Sequence, residues 1–328
     1  MIPGTNLRLL APASGGYVIE GSGLFDGSSG YLKRTMSTPT NNKIFTISMI
    51  TKLNDDTGTL FFGGTNFSSN FDTFQYSSDM LDFQMYHSSS VVGRIRTTQL
   101  LRDPSAYYHI ILAVNTSTGI SGTNKLRMYI NGVEVTDFET DTNPSNDQAC
   151  FINSAVEHDI GSGLGNYYCP MYCANVTFID GLQLDPTSFG EVTDDGFWQI
   201  NNVSGLTFGT NGFLLEGATN VAAGTDSSGN SNDFTKTGTI TATNDSPTDD
   251  ADNNYGDYAT LNPLIPAADG AMVTTLSQGN NRAVGSSANG TFKKLSTLTV
   301  SEGKWHFELE ATNLVQSIQI LLFHTALH

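Results

Sequence analysis

Hydrophobic and polar residues alternate with a period of two along most of the chain, and helical periodicity is almost absent. The segments 45–49 (Phe-Thr-Ile-Ser-Met), 81–85 (Leu-Asp-Phe-Gln-Met) and 126–130 (Leu-Arg-Met-Tyr-Ile) place an apolar residue at every second position. This pattern predicts strands with one buried and one solvated face. Tyr107–Val114 is a continuous apolar run, which is typical of a central strand covered on both sides.

Turn residues separate these segments at short intervals. Asn131-Gly132 lies between two apolar segments, and because Asn-Gly tolerates two positive φ angles it predicts a hairpin with a type I′ turn. The same alternation precedes the turn Asp180-Gly181, and further strands are predicted at 212–216 and 237–243. Many short strands joined by Gly- and Asn-rich turns indicate an all-β sandwich.

The length and one polar stretch predict more than one structural unit. A chain of 328 residues exceeds a typical domain of about 100–200 residues. Residues 244–254 are rich in Asp, Asn, Ser and Thr and contain almost no apolar residue, which is typical of a linker. We therefore expect an N-terminal arm (1–16), a β-sandwich (17–243), a linker (244–256) and a second, incomplete β-module (257–328).

The charge balance restricts the classes of partner. The net charge is -17, with 15 basic and 32 acidic residues. A nucleic-acid surface needs clustered Lys and Arg, so we expect no nucleic-acid partner. We also expect no membrane span, because no apolar run approaches the roughly 20 residues that a spanning helix needs.

Three cysteines are too few for a disulfide framework. Cys169 and Cys173, with His158 as a third ligand, could hold a metal ion, but structural zinc sites usually have four ligands. The preferred interpretation is that these two thiols and Cys150 are buried and free beside aromatic residues.

Several short segments occur in a fixed order that resembles a known family. They are 107–115 (Tyr-Tyr-His-Ile-Ile-Leu-Ala-Val-Asn), 124–136 (Asn-Lys-Leu-Arg-Met-Tyr-Ile-Asn-Gly-Val-Glu-Val-Thr), 158–161 (His-Asp-Ile-Gly), 178–182, 188–191, 211–213, 226–230, 233–235 and 245–248. Together they resemble the laminin-G-like, concanavalin A-like jelly-roll sandwich of tailed-phage virion structural proteins. Residues 258–264 and 303–308 are similar to the start of the SPRY-type module that often follows in such proteins.

This resemblance implies a fold and a function. The fold is an all-β, concanavalin A-like jelly-roll sandwich with a second, incomplete β-module, since the SPRY-like part reaches His328 with too few strands to close. The function is that of a non-enzymatic virion component of a bacteriophage, such as a tail fibre, head fibre or capsid decoration protein, with other virion proteins as partners. The alternative is a carbohydrate-binding host-recognition module or secreted adhesin, with a host surface glycan as ligand.

Residues with catalytic potential are few. Glycosidases need two carboxylates on one face, and only Glu308 and Glu310 have that alternate spacing. A solvated strand face is the better interpretation of this pair. His109 lies within an apolar strand and is interpreted as a core or edge histidine, so we assign no catalytic residue and expect no enzyme activity.

Two sets of residues are candidates for ligand binding. Tyr167, Tyr168 and Tyr172 could present aromatic rings to a glycan or a protein partner, although packing on the core is the alternative. The segment 226–233 crowds oxygen ligands around a glycine, with Asp226, Asn230 and Asp233 as candidate calcium ligands. Asx-turns that satisfy their own backbone are the alternative explanation, and we expect no other cofactor.

The C-terminal module predicts an oligomer. Its apolar residues alternate on one strand or lie in the final apolar run, and they need a covering layer. The predicted contributors to such an interface are Trp305, Phe307, Leu309, Ile320 and Phe323. We expect a homo-oligomer, and a trimer if the protein is a fibre.

Overall fold

The computed structural model describes residues 17–194, 196–250, 253, 255–256, 261, 274–277 and 282–285. The chain divides into two compact units, Met1–Tyr258 and Ala259–His328. The strands of the first unit are β1 (Ser22–Phe25), β2 (Tyr31–Thr35), β3 (Ile44–Leu53), β4 (Thr57–Asn66), β5 (Asn70–Ser77), β6 (Met80–His87), β7 (Ser90–Thr97), β8 (Tyr107–Asn115), β9 (Leu126–Ile130), β10 (Val133–Glu134), β11 (Phe138–Thr142), β12 (Glu157–Ile160), β13 (Met171–Asp180), β14 (Gly190–Val192), β15 (Trp198–Ile200), β16 (Phe213–Glu216), β17 (Thr235–Thr237) and β18 (Ile240–Thr243).

Two antiparallel eight-stranded sheets form the first unit. The first sheet has the order β10-β9-β8-β3-β13-β1-β18, with β16 also paired to β13. The second sheet has the order β11-β7-β6-β5-β4-β12-β2-β17. Short helices α1 (Gly122–Lys125) and α2 (Gly217–Ala223) and a 3₁₀ turn (Pro186–Ser188) connect the strands. This arrangement confirms the predicted concanavalin A-like jelly-roll sandwich.

Apolar side chains from both sheets meet in one core. Phe61 of the second sheet stacks on Phe178 of the first, with ring centroids 5.8 Å apart. Phe178 in turn stacks on Phe213 at 5.6 Å and on Phe45 at 5.8 Å. Alternating residues of each strand supply this core, as the period-two pattern predicts.

The outer face of the first sheet is also covered. Phe189, Val203 and Phe208 pack on β8, β13 and β16 there, and Ile200 belongs to a further cluster with residues of β3, β8 and β13. Polar positions predicted to be solvated are therefore buried, including Thr46, whose hydroxyl donates to the Leu182 carbonyl at 2.8 Å. The one-wet-face prediction was wrong for β3 because local alternation cannot reveal a layer supplied by distant residues.

Two turn predictions had different outcomes. The hairpin at Asn131-Gly132 is confirmed, with φ angles of 48° and 77° that suit a type I′ turn. The single strand predicted at 237–243 is instead β17 and β18, which lie in different sheets. Gly238 separates them with φ 65°.

The first part of the segment predicted as a linker is packed into the first unit. Asp245, Ser246 and Thr248 are buried. Ile19 anchors this segment, since its N–H donates to Thr248 Oγ1 at 2.9 Å and its carbonyl accepts from Ser246 Oγ at 2.7 Å. The polar composition predicted a solvated linker. These polar side chains are instead hydrogen-bonded to residues that are distant in the sequence.

In the second unit the structure describes one antiparallel pair, β19 (Thr274–Ser277) and β20 (Arg282–Gly285). The SPRY-like segment 303–308 lies outside the described residues. So do the carboxylates Glu308 and Glu310 and all five predicted interface residues, which are Trp305, Phe307, Leu309, Ile320 and Phe323.

Candidate functional site

The outer face of the second sheet carries the side chains that alternate with the core. On β5, Phe74 and Tyr76 enter the core. Their neighbours Phe71, Thr73 and Gln75 therefore point to the opposite face. On β6 the core residues are Leu81, Phe83 and Met85, and the outward ones are Asp82, Gln84 and Tyr86.

Five aromatic rings are joined on this outer face, and we call them the aromatic surface. Phe62 of β4 lies 6.0 Å from Phe71 of β5, which lies 5.2 Å from Tyr86 of β6. Phe67, in the turn between β4 and β5, is 4.9 Å from Phe62 and 5.0 Å from Tyr167. Phe62 and Phe71 are buried beneath the other three rings at 0% and 8% exposure, whereas Phe67, Tyr86 and Tyr167 are partly or mostly exposed. Exposed aromatic rings commonly mark a binding surface.

The loop 161–168 presents the outermost of these rings. Tyr167 is 67% exposed and meets Phe67 edge-on, with an interplanar angle of 67°. Tyr167 and Leu164 have left-handed φ angles of 52° and 47°, which large side chains seldom adopt. A Cβ on Gly163 would approach Phe67 Cζ to 2.3 Å, so only glycine lets the loop pack this closely.

The buried carboxylate of Asp159 anchors this loop by hydrogen bonds. Asp159 of β12 accepts hydrogen bonds at Oδ2 from Ser162 Oγ at 3.0 Å and from the Gly165 N–H at 3.3 Å. Its Oδ1 is buried without a hydrogen-bond partner. Burial of this carboxylate raises its pKa to about 6, with further hydrogen bonds acting in the opposite direction.

Outward residues of four adjacent strands form a line that we call the central row. Phe62, Thr73, Gln84 and Arg94 are successive register partners on β4, β5, β6 and β7. Thr73 is 3% exposed, and its Oγ1 has no hydrogen-bond partner. The half-exposed amide of Gln84 also lacks a partner within the described part of the chain.

An ion pair occupies one end of the central row. Arg94 donates from Nε to Asp82 Oδ1 at 3.0 Å and from Nη2 to Asp82 Oδ2 at 2.6 Å. Gln75 Nε2 donates to the same Oδ2 at 3.1 Å. Such bidentate geometry fixes the guanidinium plane and raises the pKa of Arg94 through the hydrogen bond to Asp82.

The three predicted tyrosines do not share one surface. Tyr167 is exposed as described, and Tyr168 is half-buried with its ring 6.1 Å from that of Tyr31. Tyr172 is 1% exposed and lies in a cluster on the outer face of the first sheet. This burial agrees with the core-packing alternative for Tyr172, and binding of a glycan or partner by the three tyrosines stays a prediction.

Sequence reasoning missed Phe67, Phe71, Tyr86 and the central row. A signal was present, since Phe71 and Phe74 are three positions apart and therefore lie on opposite faces of one strand. An aromatic residue on the face opposite the core was therefore detectable once β5 was located.

The candidate calcium loop is closely hydrogen-bonded to itself. Asp226 accepts from the N–H groups of Leu214 at 2.9 Å, Ser228 at 2.8 Å and Asn232 at 2.8 Å. The Asn230 amide donates to the Gly209 and Gly212 carbonyls.

Asp233 Oδ1 accepts from the Asp226 N–H at 2.8 Å. These bonds are those of the Asx-turn alternative, in which carboxylates cap backbone amides. No group of three or more His, Cys, Asp or Glu side chains suited to a metal ion occurs among the residues that the structure describes. Calcium binding through Asp226, Asn230 and Asp233 stays a prediction, which calorimetry on chelated protein would test.

The remaining candidates are buried. His109 accepts from Trp198 Nε1 at 2.9 Å and bonds Ser48 Oγ through Nε2 at 2.8 Å, and burial lowers its pKa to about 3. Cys150, Cys169 and Cys173 are buried and free, as preferred from the sequence. Burial raises the pKa of the Cys173 thiol to about 12, which keeps the thiol protonated. Metal ions bind the deprotonated thiolate, so this thiol is poorly suited as a metal ligand.

Residues 26–161 match the model of the Concanavalin A-like lectin/glucanases superfamily. The matched segment begins after β1 and ends after β12, so it contains seven of the eight strands of the second sheet. The match covers less than half of the chain, and the two antiparallel sheets that surround it have the architecture of a concanavalin A-like sandwich. No curated protein matches the chain.

Several solved structures are similar to the chain. Domains LG4-5 of the mouse laminin alpha1 chain share 14% identity at a TM-score of 0.36, over 57% of this chain and 48% of that one. A Bacteroides ovatus protein described as carbohydrate-binding shares 16% identity at 0.41, over 68% and 60%. Domain 4 of an extracellular arabinanase from Geobacillus stearothermophilus, in complex with arabinotriose, shares 17% identity at 0.37, over 56% and 83%.

The chain therefore spans about half of the laminin chain and about three fifths of the Bacteroides protein. Within the described residues of this chain, no helix has the length and apolar character needed to cross a membrane.

Proposed function

We propose that this protein is a carbohydrate-binding module that holds a glycan on the outer face of its second sheet, and that it binds without catalysis. The aromatic surface is the observation that carries the proposal. Sugar rings have apolar C–H faces that stack on aromatic side chains, and Tyr167 and Tyr86 offer such rings outside the core. The partly exposed Gln84 supplies a neighbouring polar group, and the unpaired hydroxyl of Thr73 lies buried beside it.

A glycan array probed with the full chain and with Tyr167→Ala tests this proposal. We expect the full chain to select a glycan class, and Tyr167→Ala to bind it about tenfold more weakly because one stacking ring is lost. Val192→Ala is the matched control, since Val192 is 60% exposed on β14, which pairs with β15 outside the two main sheets.

Two outcomes contradict the proposal. Either no glycan on the array is bound by the full chain, or binding is unchanged by both Tyr167→Ala and Tyr86→Ala. The melting temperature of Tyr167→Ala should match that of the full chain, because Tyr167 is mostly exposed and packs against one ring.

We further propose that the module belongs to a bacteriophage virion, as a fibre or capsid decoration protein that contacts other virion proteins and forms a homo-oligomer. The ordered segments from 107–115 to 245–248 support this role. Mass spectrometry of purified particles is expected to find several copies per particle. If the protein is absent from particles but binds glycans, the adhesin alternative is favoured.

A further inference from the structure

We infer that the ligand of the outer face is an uncharged oligosaccharide chain, rather than a single sugar or an acidic glycan, and that it lies across strands β4 to β7. This inference rests on the proposed function and names its ligand class. It follows from three observations on the central row and the aromatic surface: their length, their unsatisfied polar groups and their charge.

The first observation is the length of the face. The central row runs from Phe62 on β4 to Arg94 on β7; Phe62 and Thr73 form its buried floor, and Gln84 and Arg94 are partly exposed. Three strand spacings of about 4.8 Å give a row of about 14 Å. The aromatic surface extends it beyond Phe62 to Phe67 and Tyr167, whose centroids lie 5.0 Å apart. A single sugar ring would cover only part of this distance, whereas a chain of several sugars would contact the aromatic and the polar parts together.

The second observation is the hydrogen-bonding capacity left open along the row. The Thr73 hydroxyl is buried without a partner, although a buried polar group normally has one. Gln84, its register partner on β6, has a half-exposed amide without a partner. Because Thr73 is 3% exposed, a ligand could reach its hydroxyl only if a neighbouring side chain such as Gln84 moved aside. A hydroxyl and an amide both donate and accept, which matches the hydroxyl groups of a sugar chain.

The third observation is the charge along the row. Phe62, Thr73 and Gln84 are uncharged, and the guanidinium of Arg94 is paired with Asp82 by two hydrogen bonds. Arg96, the next outward residue of β7, is paired with Glu139 at 3.2 Å. An acidic glycan would therefore meet cations that are already neutralised.

The wider field points the same way. The whole chain carries a net charge of -17, which opposes the approach of a polyanion. An uncharged oligosaccharide is not repelled by this net charge, and the neutral central row is complementary to it.

A length series of oligosaccharides tests the inference. For each neutral glycan bound on the array, we would titrate the monosaccharide through the hexasaccharide into the full chain by calorimetry. Oligogalacturonides and heparin oligosaccharides of matched length serve as acidic probes. Affinity should rise at least about tenfold from monosaccharide to tetrasaccharide. It should change little between about 0.05 M and about 0.5 M salt, because no charged pair forms on binding.

Two variants locate the chain on the row. Gln84→Ala and Thr73→Val should weaken binding of the tetrasaccharide more than binding of the monosaccharide. Gln99→Ala is the control, because Gln99 is an exposed residue that follows β7. Thr73→Val keeps the side-chain shape and removes an unpaired hydroxyl, so its melting temperature should not fall. Unchanged stability with weaker binding separates a ligand contact from a structural role.

The following outcomes would overturn the inference, the proposed function or both. Equal affinity for monosaccharide and tetrasaccharide, or tighter and salt-dependent binding of the acidic probes, overturns the inference while the proposed function stands. Wild-type affinity of both row variants for the tetrasaccharide also overturns it. If no glycan of any kind binds, the proposed function fails together with the inference.

Discussion

His109 shows how a single titratable side chain is made structural. Its ring is buried, accepts from Trp198 Nε1 and therefore carries its proton on Nε2, which donates to Ser48. Burial lowers the pKa of His109 to about 3, so the neutral ring persists well below neutral pH. The sequence correctly indicated a core histidine, but Trp198 lies 89 positions away and could not be identified as its partner.

The pH dependence of stability should report on His109. A histidine whose folded pKa is depressed stabilises the fold above its unfolded pKa of about 6.5, and this contribution is lost as pH falls towards the folded value. The difference in unfolding free energy between the full chain and His109→Gln should therefore shrink by about 3 kcal/mol from pH 7 to pH 4. Urea denaturation at both pH values measures it, and a difference independent of pH would contradict the burial of a neutral ring.

The hairpin of β9 and β10 illustrates how an element is fixed by a neighbour. Asn131 and Gly132 form its turn, and a Cβ on Gly132 would approach Trp198 Cε3 to 2.2 Å. The indole is thus seated directly on the turn backbone. The turn type could be predicted from two residues, whereas the indole above it could not.

Substitution of two glycines should separate backbone strain from this contact. Gly132 and Gly119 both have positive φ, at 77° and 91°, but a Cβ on Gly119 would meet nothing within 4 Å. Gly119→Ala should lower the unfolding free energy by about 1–2 kcal/mol through strain alone. Gly132→Ala should lower it by about 1–3 kcal/mol more, because the added methyl overpacks the indole. Equal losses in urea denaturation would show that Trp198 can move aside.

The strands themselves were largely predictable, because alternation is a local property of the sequence. The central strand at Tyr107–Val114 and the strands at 81–85 and 126–130 lie within observed strands. The faces were less predictable, since Thr46 is buried by residues more than a hundred positions away. The aromatic surface was missed for the same reason, as its rings come from three strands, a turn and a distant loop.

At the scale of the whole molecule, one buried ion pair ties distant parts of the first unit together. Lys52 Nζ lies 2.6 Å from Asp245 Oδ2, and the two side chains are 0% and 5% exposed. The ammonium also lies 5.0 Å and 4.9 Å from the ring centroids of Tyr107 and Tyr172. The pair fastens residues 245–248 to β3 across 193 positions of sequence.

Removing one partner of this pair should destabilise the first unit strongly. Asp245→Ala removes from the buried Lys52 ammonium a carboxylate that it binds at 2.6 Å, so the unfolding free energy should fall by about 3–5 kcal/mol. The double change Lys52→Met with Asp245→Leu should recover part of that loss, because an apolar pair needs no compensation. Glu134→Ala breaks the exposed pair with Arg127 and should alter the melting temperature little. A small effect of Asp245→Ala would show that residues 245–248 are held by other contacts.

The position of Cys169 offers a way to measure how often the loop 161–168 opens. This buried thiol directly follows the loop 161–168, and its own N–H closes that loop by donating to the Gly161 carbonyl at 3.0 Å. Cys169 lies in the core against Gly58 of β4, so an alkylating reagent should react with it only after local opening, and we expect lifting of the loop 161–168 to be part of that opening. Mass spectrometry should find that a saturating glycan slows labelling at Cys169 more than at Cys150, whose N–H is bound to the Asn42 carbonyl. The loop would then be the part of the sandwich whose motion ends when a ligand is seated.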